Sequence, residues 1–537
     1  MGGAWRGGTL QHGDEALVAA LQAIEGPCYV VADKDAIAVA QDGEATWGAN
    51  TESGHALLGV VAPCQPQQLG DPTFCSDHGI RYPYVSGAMA NGIASVEVVE
   101  AMSNAGLLGF FGAAGLPVPV VAAAIDRLQA ALGDRPHGFN LIHSPNEPDL
   151  EAAVVRLYLD RNVRLVEASA YLDLTLPVVR YRVAGIHEDA DGRIVTPNRI
   201  VAKVSRIEVA TRFFAPPPEK FLATLVAEGA ISPEQAKLAR RIPMAQDLTA
   251  EADSGGHTDN RPALALLPTL IALRDRMQAE YGYALPLRVG AAGGIATPAS
   301  TAAAFAMGAA YVLTGSVNQG CVEAGTSPQV RQMLADAEQA DIAMAPAADM
   351  FEMGVEVQVL KRGTMFAMRG HKLYELYRKY DSIDAIPDAE RAQLEKTIFR
   401  APLAEIWQQT HAFFAERDPA QNERAARDPK HQMALVFRWY LGQASHWANR
   451  GEAARQIDYQ IWCGPAMAAF NEWVRGSALE QLENRTVVHV AHNLLYGACV
   501  YARAQQLRTQ GVPVPNAALC VVPRSAAELS AHGVGGR

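Results

Sequence analysis

The sequence lacks several features that would point to secretion or to nucleic acid. Its 7 cysteines are scattered, odd in number and without CxxC spacing, which favours free thiols in a reducing cytoplasm. Lysine and arginine (46) are fewer than aspartate and glutamate (57), and the formal net charge of −11 disfavours non-specific nucleic-acid binding. No charged-then-apolar leader opens the chain, so we expect a cytoplasmic protein. We predict no metal site.

One apolar run, GLLGFFGAAGLPVPVVAAAI at 106–125, is long enough to suggest a membrane span. Its four glycines and two prolines argue against a continuous helix. The run instead predicts a buried strand, a glycine loop and then a helix, and we expect no membrane association.

The 537 residues are 49% apolar and 19% charged, which supports large cores and two or three domains. We predict a small β-containing unit over residues 1–75 and an α/β unit over 76–345. In the second unit, helical patterns separate eight short apolar runs, at residues 83–89, 106–111, 138–143, 163–168, 199–205, 247–252, 287–291 and 310–314. This alternation predicts a (β/α)8 TIM barrel, with an open doubly wound sheet as the alternative.

Two insertions interrupt the barrel rhythm, at about residues 171–200 and 215–242. The first contains an Asp-Gly turn between strand-like runs and predicts a rim hairpin. The second predicts two helices, with Ser232 and Pro233 beginning the second of them. Residues 346–537 are mostly helical in pattern and hold five of the seven tryptophans, which predicts a separate helical core.

Two glycine-rich segments follow the last two predicted strands. One strand ends at Gly293-Gly294, where Thr297 can cap the next helix, and the other ends at Gly315-Ser316. Barrels often bind phosphate at this place through backbone N–H groups. The alternative is that these glycines serve only backbone turns. The chain contains no GxxxxGK[ST] motif, which disfavours an ordinary nucleotide P-loop.

The segments SGAMANGIAS, GFNLIHSP, EADSGGHTD, GAAGGIATP and TGSVNQ occur in this order and resemble flavin barrels of the nitronate monooxygenase superfamily. The longer match, over roughly residues 65–505, is to PfaD-type proteins, the trans-acting enoyl reductases of polyunsaturated fatty acid and polyketide synthases. PAADMFEMGVEVQVLKRGTMF, RWYLG and DYQIWCGPAMAAFNEW extend the resemblance into the tryptophan-rich region.

The resemblance implies FMN as the bound cofactor. It places Ala88, Met89 and Asn91 along the isoalloxazine ring, and it implies a hydrogen bond from Asn140 to the flavin. Lys203 would supply positive charge near the ring or the phosphate, with a rim ion pair as the alternative. The implied cradle for the ribityl and phosphate oxygens consists of Gly255, Gly256, Gly293, Gly294, Gly315 and Ser316.

His257 is the candidate catalytic residue, because it follows the glycine pair where the superfamily carries its active-site histidine. It could polarise the thioester carbonyl or supply a proton, and a structural histidine is the alternative. Glu251 and Asp253 are candidates to orient its loop, or they favour the following helix N-terminus.

The implied reaction is reduction of the 2,3 double bond of an enoyl thioester on an acyl carrier protein, within polyketide or fatty acid synthase modules. NADPH is the expected reductant, with NADH as the alternative. A homodimer is a possible oligomeric state. A basic run over residues 361–379 is a candidate docking face for the carrier protein, with a solvated helix face as the alternative. The competing functions are a nitronate monooxygenase-like flavin oxidase and a non-catalytic synthase subunit.

Overall fold

The computed structural model describes residues 3–48, 54–143 and 148–535. Its first part is an antiparallel sheet of six strands in the order β2-β4-β3-β6-β1-β5. The sheet packs on helix α1 (Asp14–Gln22), and its core also includes Leu507 from a helix near the end of the chain. The strands are β1 (Gly3–Arg6), β2 (Gln11–His12), β3 (Cys28–Asp33), β4 (Ala36–Ala40), β5 (Glu44–Trp47) and β6 (His55–Val61).

Thirteen further strands follow in the described residues. They are β7 (Tyr84–Ser86), β8 (Leu108–Phe111), β9 (Gly138–Ile142), β10 (Leu165–Ser169), β11 (His187–Glu188), β12 (Ile194–Val195), β13 (Arg199–Val204), β14 (Asp247–Glu251), β15 (Gly256–His257), β16 (Arg288–Ala292), β17 (Val312–Thr314), β18 (Ile342–Pro346) and β19 (Glu356–Leu360).

Eight of these strands close into a parallel barrel in the order β7-β8-β9-β10-β13-β14-β16-β17. The closing pair is β17 with β7, in which Leu313 faces Val85. The barrel strands are almost wholly buried and therefore read as short apolar runs in the sequence. Each of the eight predicted runs matches one barrel strand, and only β10 and β16 extend beyond their runs, by one residue each. The TIM barrel is therefore confirmed and the open-sheet alternative is wrong.

Helices cover the barrel and build most of the region after it. Around the barrel lie α2 (Pro72–His78), α3 (Val96–Asn104), α4 (Val118–Leu132), α5 (Pro148–Asp160), α6 (Leu176–Val183), α7 (Ile207–Phe214), α8 (Glu219–Ala227), α9 (Pro233–Ala239), α10 (Ala263–Tyr281), α11 (Pro298–Ala306), α12 (Ser316–Gln319) and α13 (Pro328–Ala335). After it follow α14 (Phe366–Lys379), α15 (Asp388–Leu394), α16 (Leu403–Arg417), α17 (Pro419–Ala425), α18 (Pro429–Arg450), α19 (Pro465–Val474), α20 (Val487–Thr509) and α21 (Ala526–Ala531).

The local predictions from turn and cap residues agree with these elements. The first insertion forms the hairpin of β11 and β12, and the second forms α8 and α9. The side chains of Ser232 and Thr297 accept hydrogen bonds from the first turns of α9 and α11, and a proline follows each. Residues 106–125 form β8, a loop and the start of α4. None of the helices within the described ranges has the length and apolarity that a bilayer span requires.

The C-terminal region is mainly helical, as predicted, with a second core in which Trp407, Trp439, Trp447 and Trp462 pack against buried apolar residues. It also contains strands that the sequence analysis did not predict. β18 and β19 form an antiparallel sheet with β15, the two-residue strand that contains His257. β18 also crosses the domain boundary predicted at residue 345, and the predicted boundaries stay predictions.

Candidate active site

A cavity of about 620 Å³ lies where the carboxyl ends of the barrel strands face the C-terminal helices α16 and α18. This end of a (β/α)8 barrel is where active sites of the fold are found. The structure brings all of the predicted site residues to its wall. They are Ala88, Met89, Asn91, Asn140, Lys203, Gly255, Gly256, His257, Gly293, Gly294, Gly315 and Ser316.

The loop after β14 is held in place by the C-terminal region. The Gln358 side chain on β19 donates hydrogen bonds to Asp253 Oδ1 and to the Ser254 carbonyl oxygen, both at 2.7 Å. Gly255 lies against Gly464, and a Cβ added to Gly255 would lie 2.9 Å from the Gly464 backbone nitrogen. Real Cβ atoms do not approach backbone so closely, so glycine at position 255 permits this contact between the two regions.

His257 is fixed by both backbone and side-chain contacts. It pairs with Val357 in the β15–β19 ladder, and its Nε2 lies 3.0 Å from Asp349 Oδ1. Burial is the largest influence on the pKa of His257 and lowers it, but the Asp349 carboxylate more than offsets this and the pKa is raised. Burial raises the pKa of Asp349, and His257 outweighs this, so that the Asp349 pKa is lowered. The pair therefore favours a protonated His257 at the cavity wall.

The glycines at the ends of β16 and β17 leave room for a ligand. Gly293 and Gly294 have φ of 85° and 77°, a conformation that side chains rarely adopt. A Cβ on Gly293 would lie 2.7 Å from the Ala252 backbone, whereas a Cβ on Gly294 or Gly315 would meet nothing within 4 Å. Gly293 thus packs against the neighbouring loop, and Gly294 and Gly315 line open space.

A charged cluster lies at the ends of β10, β13 and β14. Lys203 Nζ is 3.2 Å from Glu251 Oε1 and 3.8 Å from Glu167 Oε2, and the Ala88 N–H donates to Glu167 Oε2 at 3.0 Å. Burial lowers the pKa of Lys203, but Glu251 and Glu167 more than offset it, so the pKa is raised and the amine stays charged. Glu251 thus pairs with Lys203. Lys203 therefore carries the predicted positive charge at the cavity and also forms the ion pair that the sequence offered as the alternative.

Glu167 is a buried acid that the sequence analysis missed. Its side chain is wholly buried, and Oε1 has no hydrogen-bond partner in the part of the chain described. Burial, only partly opposed by Lys203, raises its pKa to about 7. The one signal in the sequence was an acid within the apolar run VRLVEA, because a buried charge requires a partner.

The two predicted asparagines have protein partners. Asn140 Nδ2 donates to the Glu167 carbonyl oxygen at 3.1 Å and to Ser169 Oγ at 2.9 Å, which leaves Oδ1 as the atom that a cavity ligand can use. Asn91 Nδ2 donates to Ser445 Oγ on α18 at 3.0 Å. Asn91 therefore joins the loop after β7 to the C-terminal region.

Three residues that follow β17, namely Asn318, Gln319 and Cys321, lie at or beneath the cavity wall. Asn318 donates to Ser86 Oγ at 2.8 Å beneath the cavity, whereas Gln319 lines it. Burial raises the pKa of the Cys321 thiol, which does not suit a nucleophile. In the GFNLIHSP segment, Ser144 and Pro145 lie outside the described residues.

The cavity fits a phosphorylated planar cofactor on three observations. Open space at Gly294 and Gly315 gives phosphate oxygens access to backbone N–H groups. The small residues Gly87, Ala88 and Ala90 line another part of the wall, and Lys203 supplies a fixed positive charge. In the described residues, no group of three or more His, Cys, Asp or Glu is placed to hold a metal ion.

Comparison with known proteins agrees with this geometry. The nitronate monooxygenase family matches residues 73–371, more than half of the chain, and the inserted helical domain of [acyl-carrier-protein] S-malonyltransferase matches residues 380–459. The second segment contains both helices, α16 and α18, that face the barrel mouth.

Curated relatives include proteins of polyunsaturated fatty acid synthesis and of polyketide biosynthesis. The chain is 51% identical to a polyunsaturated fatty acid synthase polypeptide of Thraustochytrium sp. over 84% of its length, which is 30% of that protein. It is 44% identical to polyketide biosynthesis protein PksE of Bacillus subtilis over 81% of its length, which is 57% of that protein. The chain therefore spans less than a third of the first of these relatives and somewhat more than half of the second.

Among solved structures, the enoyl reductase domain of MlnA from the macrolactin cluster of Bacillus amyloliquefaciens matches with a TM-score of 0.78 and 39% identity. The match covers 83% of this chain and 99% of that one.

Fold and cavity together define a (β/α)8-barrel protein whose site is closed by a helical C-terminal region. The chain belongs to the nitronate monooxygenase family. Within it, the predicted resemblance to the enoyl reductases of polyunsaturated fatty acid and polyketide synthases is confirmed.

Proposed function

We propose that the protein is an FMN-dependent enoyl reductase that reduces the 2,3 double bond of enoyl thioesters carried on an acyl carrier protein, with NADPH as reductant and NADH not excluded. One observation carries the proposal: the predicted cofactor residues and His257 converge on a single cavity. The relatives named above, which belong to enzymes that build acyl chains, support the substrate class.

The roles of the residues follow from the contacts of the site. The chemistry that FMN would supply when bound is hydride transfer to the β-carbon of the substrate. Gly294 and Gly315 would present backbone N–H groups to the phosphate, and Lys203 would balance its charge or that of the ring. His257, protonated beside Asp349, would donate a hydrogen bond to the thioester oxygen, where negative charge develops, or a proton to the α-carbon.

The carrier protein is the proposed partner. Residues 380–459 match a domain of an enzyme named for its acyl-carrier-protein substrate, and this segment forms the outer wall of the cavity. The predicted basic docking face is less suited to this role than its sequence suggested. Arg369 forms a buried ion pair with Asp458, Arg362 pairs with Asp341, and Lys372 pairs with Glu390.

The test is an anaerobic assay of the purified protein, after the released flavin has been identified. We expect FMN, rapid flavin reduction by NADPH and reoxidation by crotonyl thioester on a carrier protein. In a parallel assay with oxygen present, oxidation of a nitronate with consumption of oxygen, together with no reoxidation of the flavin by the enoyl thioester, would instead establish the flavin oxidase. A colourless protein that takes up no FMN would indicate a non-catalytic subunit.

A further inference from the structure

Helix α18 presents a glycine to the cavity where most helices would carry a side chain. Gly442 lies well inside this 22-residue helix and lines the cavity, and a Cβ added to it would meet nothing within 4 Å. Glycine inside a helix costs about 1 kcal/mol relative to alanine. No neighbouring atom at position 442 requires a glycine there. The effect of the missing side chain is therefore to leave space in the cavity.

The space at Gly442 adjoins the loop that the family resemblance places along the flavin ring. Ser445 follows three residues later, on the same face of α18. Its hydroxyl accepts the hydrogen bond from Asn91 in the loop after β7. This contact brings the Gly442 face of α18 next to residues 88–91, so the open volume lies between the helix and the predicted ring position.

The surroundings of this space are suited to an apolar group. Leu435 and Trp439 precede Gly442 on the cavity face of α18, and Phe413 lines the cavity from α16. Phe413 is 52% exposed, so its ring offers apolar surface to a ligand in the cavity. Arg438 lies on the same wall and is paired with Glu352 at 3.3 Å. This ion pair reduces the free-energy cost of covering the Arg438 charge with an apolar ligand.

We propose that Gly442 opens the subsite for the acyl chain beyond the reacting double bond, and that its lack of a side chain sets the chain length and bulk that the enzyme accepts. The inference rests on the proposed enoyl reductase function and names the specificity-determining residue of that site. A larger side chain at position 442 would occupy the path of a long acyl chain next to the ring.

The test compares Gly442→Ala, Gly442→Leu and Gly442→Phe with the wild-type holoenzyme. The backbone at Gly442 is helical, so these residues suit its conformation. Gln408→Phe, at an exposed position of α16 away from the cavity, is the matched control for an added ring. Binding of crotonyl-pantetheine and dodecenoyl-pantetheine is followed by the change in visible flavin absorption, and flavin reduction by NADPH is followed without oxygen.

We expect Gly442→Phe to weaken dodecenoyl binding by about tenfold or more and crotonyl binding by less, with Gly442→Leu between it and the wild type. FMN content and the rate of flavin reduction by NADPH should stay within about threefold of the wild type, as in Gln408→Phe. Unchanged dodecenoyl binding in Gly442→Phe would overturn the subsite. A parallel loss of reduction by NADPH would also overturn it, because the space would then receive the nicotinamide. A wild-type protein that binds neither thioester would contradict the proposed function itself.

Discussion

The ion pair between His257 and Asp349 leads to a prediction about pH. Asp349→Asn keeps an oxygen that can accept a hydrogen bond from His257 Nε2 but removes the negative charge. If protonated His257 serves the reaction, activity falls as pH rises through its pKa. Asp349 raises that pKa, so we expect the variant to lose activity at a lower pH than the wild type.

The strength of this interaction follows from the distance and the exposure. Unit charges 3.0 Å apart interact by about 1.4 kcal/mol at a dielectric constant near 80 and by about 5.5 kcal/mol near 20. Both side chains are 36% exposed, so solvent screening favours the lower value. Because the loss of this interaction lowers the pKa of His257, the descending limb should move to lower pH.

The assay is the pH profile of kcat/KM with crotonyl thioester and NADPH, for the wild type, Asp349→Asn and His257→Gln. His257→Gln should remove the limb and leave a low, flat profile. FMN content and circular dichroism provide the control for folding. A limb at the wild-type pH in fully loaded Asp349→Asn would refute the assignment of His257 as the titrating group.

Three further predictions concern stability. The pKa of Glu167 is raised from 4.5 to about 7, so its contribution to the free energy of unfolding is present below pH 4.5 and is lost as pH rises through 7. The free energy of unfolding of Glu167→Gln should therefore rise by roughly 3 kcal/mol relative to that of the wild type between pH 4 and pH 8. An equal difference between the two proteins at both pH values, measured by thermal unfolding, would contradict this. Gly255→Val should lower the free energy of unfolding by about 1–3 kcal/mol and slow turnover, because the valine side chain would collide with the backbone of residues 463 and 464. Gly26→Ala should have neither effect, because a Cβ at position 26 meets no atom within 4 Å. Asp247→Asn should lower the apparent Tm by several degrees, because it removes the buried carboxylate that His78 and Arg288 share and leaves Arg288 with Asp77 alone. An unchanged Tm would show that the Asp247 carboxylate does not stabilise the fold.

The barrel could be predicted because its strands are short, apolar and buried on both faces. The tips of these strands supply most of the cavity wall, so glycines and His257 that follow predicted strands were correctly expected near one another. Turn and cap residues such as Ser232 and Thr297 act within a few positions of the chain and were equally readable.

The rest of the site depends on contacts between distant parts of the chain. Asp349 lies 92 residues after His257, and Gln358 lies 105 residues after Asp253. No local pattern marks such partners, and β18 and β19 do not stand out in the sequence beside the helices that follow. Glu167 was visible as an acid in an apolar run, but its burial and its link to Lys203 depend on how the barrel closes.

The contacts of the loop after β14 with residues 358 and 464 have a practical consequence for attempts to shorten or recombine this protein. An excised barrel would retain the glycine cradle but lose the strand that aligns His257 and the amide that fixes its loop. The helical region is thus no detachable module, and a chimaera would need to exchange the barrel and its cover as one piece.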